Sequence, residues 1–192
     1  YGSIGHSNTL ASHYYSAGLD NLGQVVASVS ARTFEGGAAV DVRELILLGG
    51  GRGETRQLDQ YISGMSFDGF ESIWSYIVYG DGRVNIRHTV KPHGTMPPYL
   101  PRIGITFVLD GSLSNVQWYG RGPQANYPDR KSGYRIGIWN TTVEDMYEPY
   151  LIPQEYGLRT DNRWVRMTDS DGKGVEFSVD QLFNFNAYPY TT

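Results

Sequence analysis

Residues 70–90, FESIWSYIVYGDGRVNIRHTV, consist of two strand patterns with a turn between them. Val84, Ile86 and His88 alternate with polar residues, which is the period-2 pattern of a half-buried strand. Residues 70–79 are aromatic and β-branched, a composition that suits a pleated surface. The Asp81-Gly82 pair between them favours the positive φ angles of a tight hairpin. The stretch therefore predicts an antiparallel hairpin.

The same combination of strand pattern and turn extends in both directions from this hairpin. Further strands are predicted at residues 25–33, 39–48, 103–109 and 175–179, with turns at residues 35–37, 49–53, 110–111 and 171–172. Helical periodicity is weak, and only short helical turns are predicted, within residues 20–27 and 142–147. The sequence thus predicts an all-β fold, an antiparallel sandwich of about nine or ten strands.

Length, charge and cysteine content limit the classes of protein to which the chain can belong. The 192 residues fit a single domain, and they contain neither a targeting segment nor an apolar run that could cross a membrane. A net charge of -4 argues against nucleic-acid binding and against a polybasic membrane contact. The absence of Cys excludes disulfides and thiolate metal ligands. Because the first residue is Tyr1, the chain is predicted to be a piece of a longer protein, whose compartment, cytoplasm or periplasm, the sequence leaves open.

No metal site is predicted from the familiar loop motifs. Residues 169–174 begin like a calcium loop, but strand patterns flank them and the closing Glu is missing, so a hairpin turn is favoured. The Gly-rich residues 49–53 lack the Lys-Ser/Thr ending of a phosphate-binding loop. The His residues show no ligand spacing, so a metal site would have to be assembled from distant strands.

Polar side chains in the second half of the chain are candidates for sugar chemistry or for structure. The long Gly- and Pro-rich stretch at residues 120–133 is typical of functional loops. The carboxylates in this half could flank a glycosidic bond, but partnership with Arg121, Arg130 and Arg159 is favoured. These carboxylates are Asp129, Glu144, Asp145, Glu148 and Glu155. Most Trp and Tyr residues are predicted to fill the core, with one or two left as platforms for sugar rings.

Residues 116–130, VQWYGRGPQANYPDR, resemble the signature of the β-galactosidase small-chain domain, the C-terminal module of glycoside hydrolase family 2 β-galactosidases. Residues 145–150, DMYEPY, and 153–164, PQEYGLRTDNRW, are similar to the same family in order and spacing, and residues 101–104 fit the strand before the signature. Two positions depart from the family pattern, Ala125 where Glu is usual and Tyr156 where Asn is usual.

The resemblance implies a galactose mutarotase-like super-sandwich, here a single incomplete domain at residues 1–192 that is trimmed at both ends. It implies that no catalytic residue lies in this chain and that the Mg and Na ions of the parent enzyme are bound elsewhere. Gly2 and Ser3 would belong to a mobile loop that gates the sugar site. The other site residues that the motif implies, for packing or for sugar contact, are Trp118, Arg121, Asn126, Tyr127, Asp129, Arg130, Glu155 and Arg159.

The function that the resemblance implies is that of a non-catalytic module of a β-galactosidase. Its partner would be the catalytic (β/α)8 barrel domain or large chain of an oligomeric parent, and the galactoside would be bound through that assembly. One alternative is a stand-alone carbohydrate-binding or mutarotase-like protein, with His88 or His93 and Glu155 as acid and base. Another is a purely structural domain that contacts neighbouring subunits.

Overall fold

The computed structural model of the chain describes residues 10–50, 67–152 and 154–190. They form a short helix, α1 (Leu10–Ser16), and eight strands. The first four are β1 (Gly23–Phe34), β2 (Gly37–Leu47), β3 (Gly69–Tyr79) and β4 (Val84–His93). The others are β5 (Asn115–Gly122), β6 (Arg135–Thr142), β7 (Arg159–Thr168) and β8 (Gly174–Phe185), and a 3₁₀-helix, Glu144–Met146, follows β6. The chain divides into two compact units, unit 1 (Tyr1–Gly104) and unit 2 (Ile105–Thr192).

Unit 1 contains one antiparallel sheet in which each strand pairs with the next along the chain, in the order β1-β2-β3-β4. Two of its turns are predicted ones, whereas residues 51–53 of the turn predicted at 49–53 lie outside the described residues. Gly36, at φ 87°, joins β1 to β2, and Gly82, at φ 89°, joins β3 to β4. At the second turn the Tyr79 N–H donates to the Arg83 carbonyl at 2.9 Å. The hairpin predicted from residues 70–90 is therefore confirmed.

Unit 2 contains a second antiparallel sheet, in the order β6-β5-β7-β8. This order is not sequential, because Asn115 of β5 pairs with Thr142 of β6 on one side and with Thr168 of β7 on the other. Gly172, at φ 79°, makes the turn between β7 and β8 in the segment that resembles a calcium loop. The core of the unit is a cluster of buried side chains, namely Val116, Trp118, Val143, Met146 and Val165.

The two antiparallel sheets confirm the predicted all-β class. The short helical turn predicted within residues 142–147 is confirmed as the 3₁₀-helix Glu144–Met146. The single incomplete domain at residues 1–192 stays a prediction.

Two local predictions are wrong. Residues 103–109 join no sheet in the described part of the chain, and Ile103, Ile105 and Phe107 are 61%, 44% and 46% exposed. Alternation of apolar residues shows which side chains prefer burial, but a strand also needs a hydrogen-bonding partner. The helical turn predicted within residues 20–27 is replaced by β1, and the helix of this region is α1, which is followed by Gly18 at φ 73°.

Candidate functional site

The predicted site residues from Trp118 to Arg159 all lie in unit 2, on β5, at the start of β7 and in two loops. The first loop, called the motif loop here, is residues 123–134 between β5 and β6. The second precedes β7. The Asn126 N–H donates to the Leu158 carbonyl at 2.8 Å, and the Tyr127 hydroxyl donates to the Glu155 carbonyl at 3.2 Å, so the two loops are bound to each other. The predicted gating residues, Gly2 and Ser3, lie outside the described residues.

Trp118 connects the motif loop to the core. It lies in the middle strand pairings of β5, opposite Trp139 of β6 and Val165 of β7, and it is 0% exposed. Its indole N–H donates to the Arg121 carbonyl at 2.9 Å, where β5 approaches the loop. A buried ring offers no face to a sugar, so Trp118 belongs to the packing group of site residues.

Arg121, Lys131 and Asp161 form an ion cluster between the motif loop and β7. The Arg121 Nε lies 2.6 Å from one Asp161 oxygen, and the Lys131 Nζ lies 2.8 Å from the other. Arg121 also donates to the carbonyls of Lys131 and Tyr134 at 3.2 and 2.7 Å. The hydrogen bonds from Lys131 and Arg121 hold the pKa of Asp161 below its usual range.

The carboxylate that pairs with Arg121 was not singled out from the sequence. Asp161 stands inside the quoted stretch of residues 153–164, but its role depends on its backbone, which adopts a φ of 55° at the start of β7. Positive φ is uncommon for residues other than Gly, and Asp is among those that tolerate it. The only sign of this pairing in the sequence was that an Asp stands near the arginines of the motif.

Asn126 is the hydrogen-bonding centre of the motif loop. The side chain is 0% exposed, and its amide nitrogen donates to the carbonyls of Arg121 and Gln124 at 3.3 and 3.0 Å. Its amide oxygen accepts the Thr160 N–H at 3.0 Å and also the Thr160 hydroxyl. A buried amide with both ends occupied fixes the conformation of the loop against β7.

Arg159 is a buried cation, with 4% of its surface exposed. Its guanidinium lies over the Trp118 ring at 5.1 Å, and Nη1 donates to the Gly157 carbonyl at 2.9 Å. Nε has no hydrogen-bond partner within the described residues. Burial lowers the pKa of Arg159, and the charge of Glu148 partly opposes this change. Arg159 therefore contributes to packing at the start of β7.

Arg130, Tyr127 and Tyr150 lie at the more open edge of the same loops. The Arg130 guanidinium lies 5.0 Å from the centre of the Tyr127 ring and donates to the Tyr150 hydroxyl at 3.1 Å. Tyr150 in turn donates to the Glu148 carboxylate, and this hydrogen bond raises the pKa of Tyr150. Burial raises the pKa of Tyr127 to about 12. Both hydroxyls are therefore protonated donors at neutral pH.

Four of the five predicted carboxylates are exposed, namely Asp129, Glu144, Asp145 and Glu155. The Glu155 carboxylate accepts a hydrogen bond from the Asn186 side chain at 3.2 Å. Asn186 also donates to the Tyr188 hydroxyl at 2.6 Å, so this bond connects the loop before β7 to the segment after β8.

A cluster of tyrosines next to Glu155 was missed by the sequence reasoning. The Tyr156 ring makes edge contacts with Tyr147 and Tyr188, with centroids 5.1 and 4.9 Å apart, and its hydroxyl accepts from Tyr190 at 2.9 Å. Burial raises the pKa of Tyr156. The only signal in the sequence was that Tyr156 stands where the resembled family has Asn. The Tyr ring, which is 4% exposed, fills this position with a packed aromatic contact.

Three residues in the segment after the 3₁₀-helix expose large side chains. Tyr147, Leu151 and Ile152, which we call the exposed rim, are 57%, 103% and 60% exposed. Apolar residues grouped in this way indicate a contact surface more often than scattered ones do. The motif region thus has a buried interior and an exposed rim.

The candidate acid residues of the mutarotase alternative lie in unit 1. The His88 ring stacks on Trp74 at 3.6 Å, its Nε2 lies 2.9 Å from the Ser72 hydroxyl, and burial lowers its pKa. His93 Nε2 lies 4.0 Å from the Glu71 carboxylate.

Across residues 10–50, 67–152 and 154–190, no group of three or more His, Cys, Asp or Glu is placed to hold a metal ion. Within the same ranges, no helix has the length and apolar character needed to cross a membrane.

Comparison with known proteins gives a consistent family. The model of the family described as "Beta galactosidase small chain" matches residues 7–192. The β-galactosidase of Priestia megaterium is 38% identical over 117 residues, which are 61% of this chain and 11% of that protein. The β-galactosidase of Vibrio cholerae is 40% identical over 94 residues, 49% of this chain and 9% of that protein. That of Kluyveromyces lactis is 34% identical over 120 residues, 61% of this chain and 11% of that protein. The chain thus spans about a tenth of the length of the curated relatives that it matches.

Proposed function

This chain belongs to the β-galactosidase small-chain family, and we propose that it serves as a non-catalytic module of a β-galactosidase. In this proposal the catalytic carboxylates lie on a separate (β/α)8 barrel domain or large chain, which hydrolyses terminal β-galactosides. The module shapes the sugar site and stabilises the assembly. Gly2 and Ser3 contribute a loop that closes over the sugar and excludes water.

The proposal rests on one observation, which is that the motif side chains bind to other groups of unit 2. Trp118, Asn126 and Arg159 are buried and bound to carbonyls of their own unit. The Asp161 carboxylate is held by Arg121 and Lys131, with a lowered pKa that keeps it ionised. A general acid in glycoside hydrolysis needs a raised carboxyl pKa, which is the opposite of what this cluster produces.

The exposed rim supports contact with a large partner. Leu151 and Ile152 are exposed, and they follow the exposed Tyr147 in the segment that leads to β7. Exposed apolar and Tyr side chains that become buried on binding are typical of the cores of protein interfaces. We infer that the rim packs on the large chain, since the chain matches only about a tenth of each relative's length.

The test is to isolate the native assembly from the source cells with antibody against this chain and to measure hydrolysis of a chromogenic β-galactoside. The chain alone should be inactive, whereas the assembly should be active and several times larger than the chain. An assembly without β-galactosidase activity would contradict the proposed function.

A matched pair of variants tests the role of the rim. Ile152→Asp should lower activity and assembly by about fivefold or more, because an interface residue of this kind is worth more than about 1 kcal/mol. Leu182→Asp on β8 is the control, since Leu182 is 55% exposed and Ile152 is 60% exposed. Equal effects of the two variants would show that the rim is not the docking surface.

A further inference from the structure

Among the described residues, the two sheets have four edge strands, and three of them contain features that oppose pairing with another chain. An edge strand presents a row of N–H and C=O groups that a further strand could bind, and charged residues, Pro and bulges are common protection. β1 has a register shift in its pairing with β2. β4 contains Lys91 and Pro92. β8 contains Glu176 and Asp180, and it has register shifts in its pairing with β7.

β6 is the fourth edge, and it lacks this protection. From Ile136 to Thr142 the strand contains no charged residue and no Pro. Its eight residues pair with β5 without a register shift. Ile136 and Ile138 point to the same face of the strand and are 44% and 60% exposed. A regular, uncharged and apolar edge of this kind is a template for pairing with another strand.

The position of β6 is fixed by contacts inside unit 2. Trp139 packs against the core cluster, and its indole N–H donates to the Gly120 carbonyl at 3.2 Å. On the other face of the strand, the Asn140 side chain accepts a hydrogen bond from Gln117 Nε2 at 2.8 Å. β5 and the core therefore hold β6 in place, so the outer edge of β6 is preformed and a partner strand need not order it.

From these observations we propose that the outer edge of β6 pairs with β6 of a second copy of this chain, antiparallel, about a twofold axis at Ile138. This register places Ile138 opposite its own copy and Ile136 opposite Asn140 of the second copy. Arg135 faces Thr141 and not another Arg, so no like charges meet. The two four-stranded sheets become one sheet of eight strands.

A second copy fits this edge because of charge and symmetry. The net charge of -4 on each chain is carried outside Ile136–Thr142, so the paired strands do not repel each other. Both copies use the same edge, which closes the association at two copies and prevents a filament. The contact is one strand long and smaller than the about 1,200 Å² of a standard interface, so we expect a weak dimer, with a Kd on the order of 100 μM.

The first experiment is disulfide trapping, which is specific here because the chain contains no Cys. Ile138→Cys, treated with a mild oxidant, should form a disulfide-linked dimer, because directly opposite residues have Cβ atoms about 4.5–5.5 Å apart. Val29→Cys on β1 is the matched control, since Val29 is 62% exposed and also lies on an edge strand. It should form at least about fivefold less dimer.

A mixture of two variants tests the register. Ile136→Cys and Asn140→Cys, one of them with a tag that changes its size, should cross-link to each other, because the proposed register places these positions opposite one another. Each variant alone should form little dimer. A mixture in which the mixed dimer is no more abundant than the dimers of either variant would contradict the register and the twofold pairing.

The second experiment measures the equilibrium without a cross-link. The sedimentation mass of the unchanged chain should rise from 21.5 kDa towards twice that value between about 10 μM and 1 mM. Ile138→Lys gives β6 a charge like those on the other edges and should keep the chain monomeric, whereas Val29→Lys should dimerise like the unchanged chain. Circular dichroism checks that the variants are folded.

Two further results would overturn the proposal. One is a chain that stays monomeric at about 1 mM, which would leave the edge of β6 to a strand of another protein. The other is an Ile138→Cys dimer no more abundant than that of Val29→Cys. The pairing goes beyond the proposed function and its tests need no hydrolytic activity. An inactive assembly would leave them unaffected, so the two proposals fail separately.

Discussion

The sheets of the two units have the same number of strands but are stabilised in different ways. In unit 1 every strand pairs with its neighbour in sequence, and the buried apolar residues of its described part are Ala39, Leu45 and Phe70. In unit 2 the middle strand β5 pairs with a strand that is distant in sequence, and a Trp-centred cluster packs with four buried polar side chains. Those four are Asn126, Arg159, Thr160 and Asn162.

The difference shows what the family motif does in this molecule. A sheet of consecutive hairpins needs little beyond turns and alternation, which residues 23–93 supply. A sheet with a distant pairing must fix a long connection, and the motif loop is fixed by buried hydrogen bonds to β7. Thr160 of β7 gives both its N–H and its hydroxyl to Asn126 of the loop. The motif residues therefore specify the fold of unit 2.

The largest expected effect comes from removing the Trp of unit 2. Trp118→Ala should destabilise unit 2 by about 3–5 kcal/mol, because it deletes a fully buried ring and leaves a cavity. Trp74→Ala, on the half-buried face of unit 1, should cost less. Hydrogen exchange read by mass spectrometry, strand by strand, measures both. An unchanged exchange rate in β5 and β7 of Trp118→Ala would contradict the comparison.

The next effect is that of a buried amide. Asn126→Ala should cost about 2–4 kcal/mol, since it removes the hydrogen-bond partner of the Thr160 N–H, the Thr160 hydroxyl and the Gln124 carbonyl. Asn85 of β4 is exposed and donates to the Tyr79 hydroxyl at 3.4 Å, so Asn85→Ala should cost less than about 1 kcal/mol. Urea denaturation followed with the same exchange readout gives both values. Similar losses in the two variants would remove the contrast between the units.

The smallest effect is a dependence on pH at the ion cluster. Because the pKa of Asp161 is lower in the folded chain than the ordinary 3.8, its stabilisation is present above that value and lost as the pH falls through the folded pKa. Asp161→Asn should cost about 1–2 kcal/mol at pH 7 and progressively less below about pH 4. The measurement is the stability of unit 2 against pH. If the difference in stability between the unchanged chain and Asp161→Asn stays constant down to pH 2, the role assigned to the Asp161 carboxylate is wrong.

Much of the fold could be predicted because its signals are local. The Asp81-Gly82 and Asp171-Gly172 turns and the alternation at Val84, Ile86 and His88 depend on neighbouring residues only. Residues 103–109 show the limit of this reasoning, since their alternation is as regular but no described strand pairs with them. Side-chain periodicity contains no information about which strand lies alongside.

The motif region was located from the sequence, but its internal arrangement was not. The fold brings together four of the predicted site residues, Trp118, Arg121, Asn126 and Arg159, and their role in a site stays a prediction. The partner of Arg121 was missed, because Asp161 meets it only through the pairing of β5 with β7.

The non-sequential order of the second sheet has a consequence for the timing of folding during synthesis. Each hairpin of unit 1 can close soon after it leaves the ribosome, because its partners are adjacent in sequence. β5 must wait until β7 has been made, and Trp118 must wait for Val165 and Phe185. During that interval an apolar strand is exposed to other nascent chains. Synthesis that pauses before β7 should therefore make the newborn chain dependent on chaperones, while a pause after β8 should not.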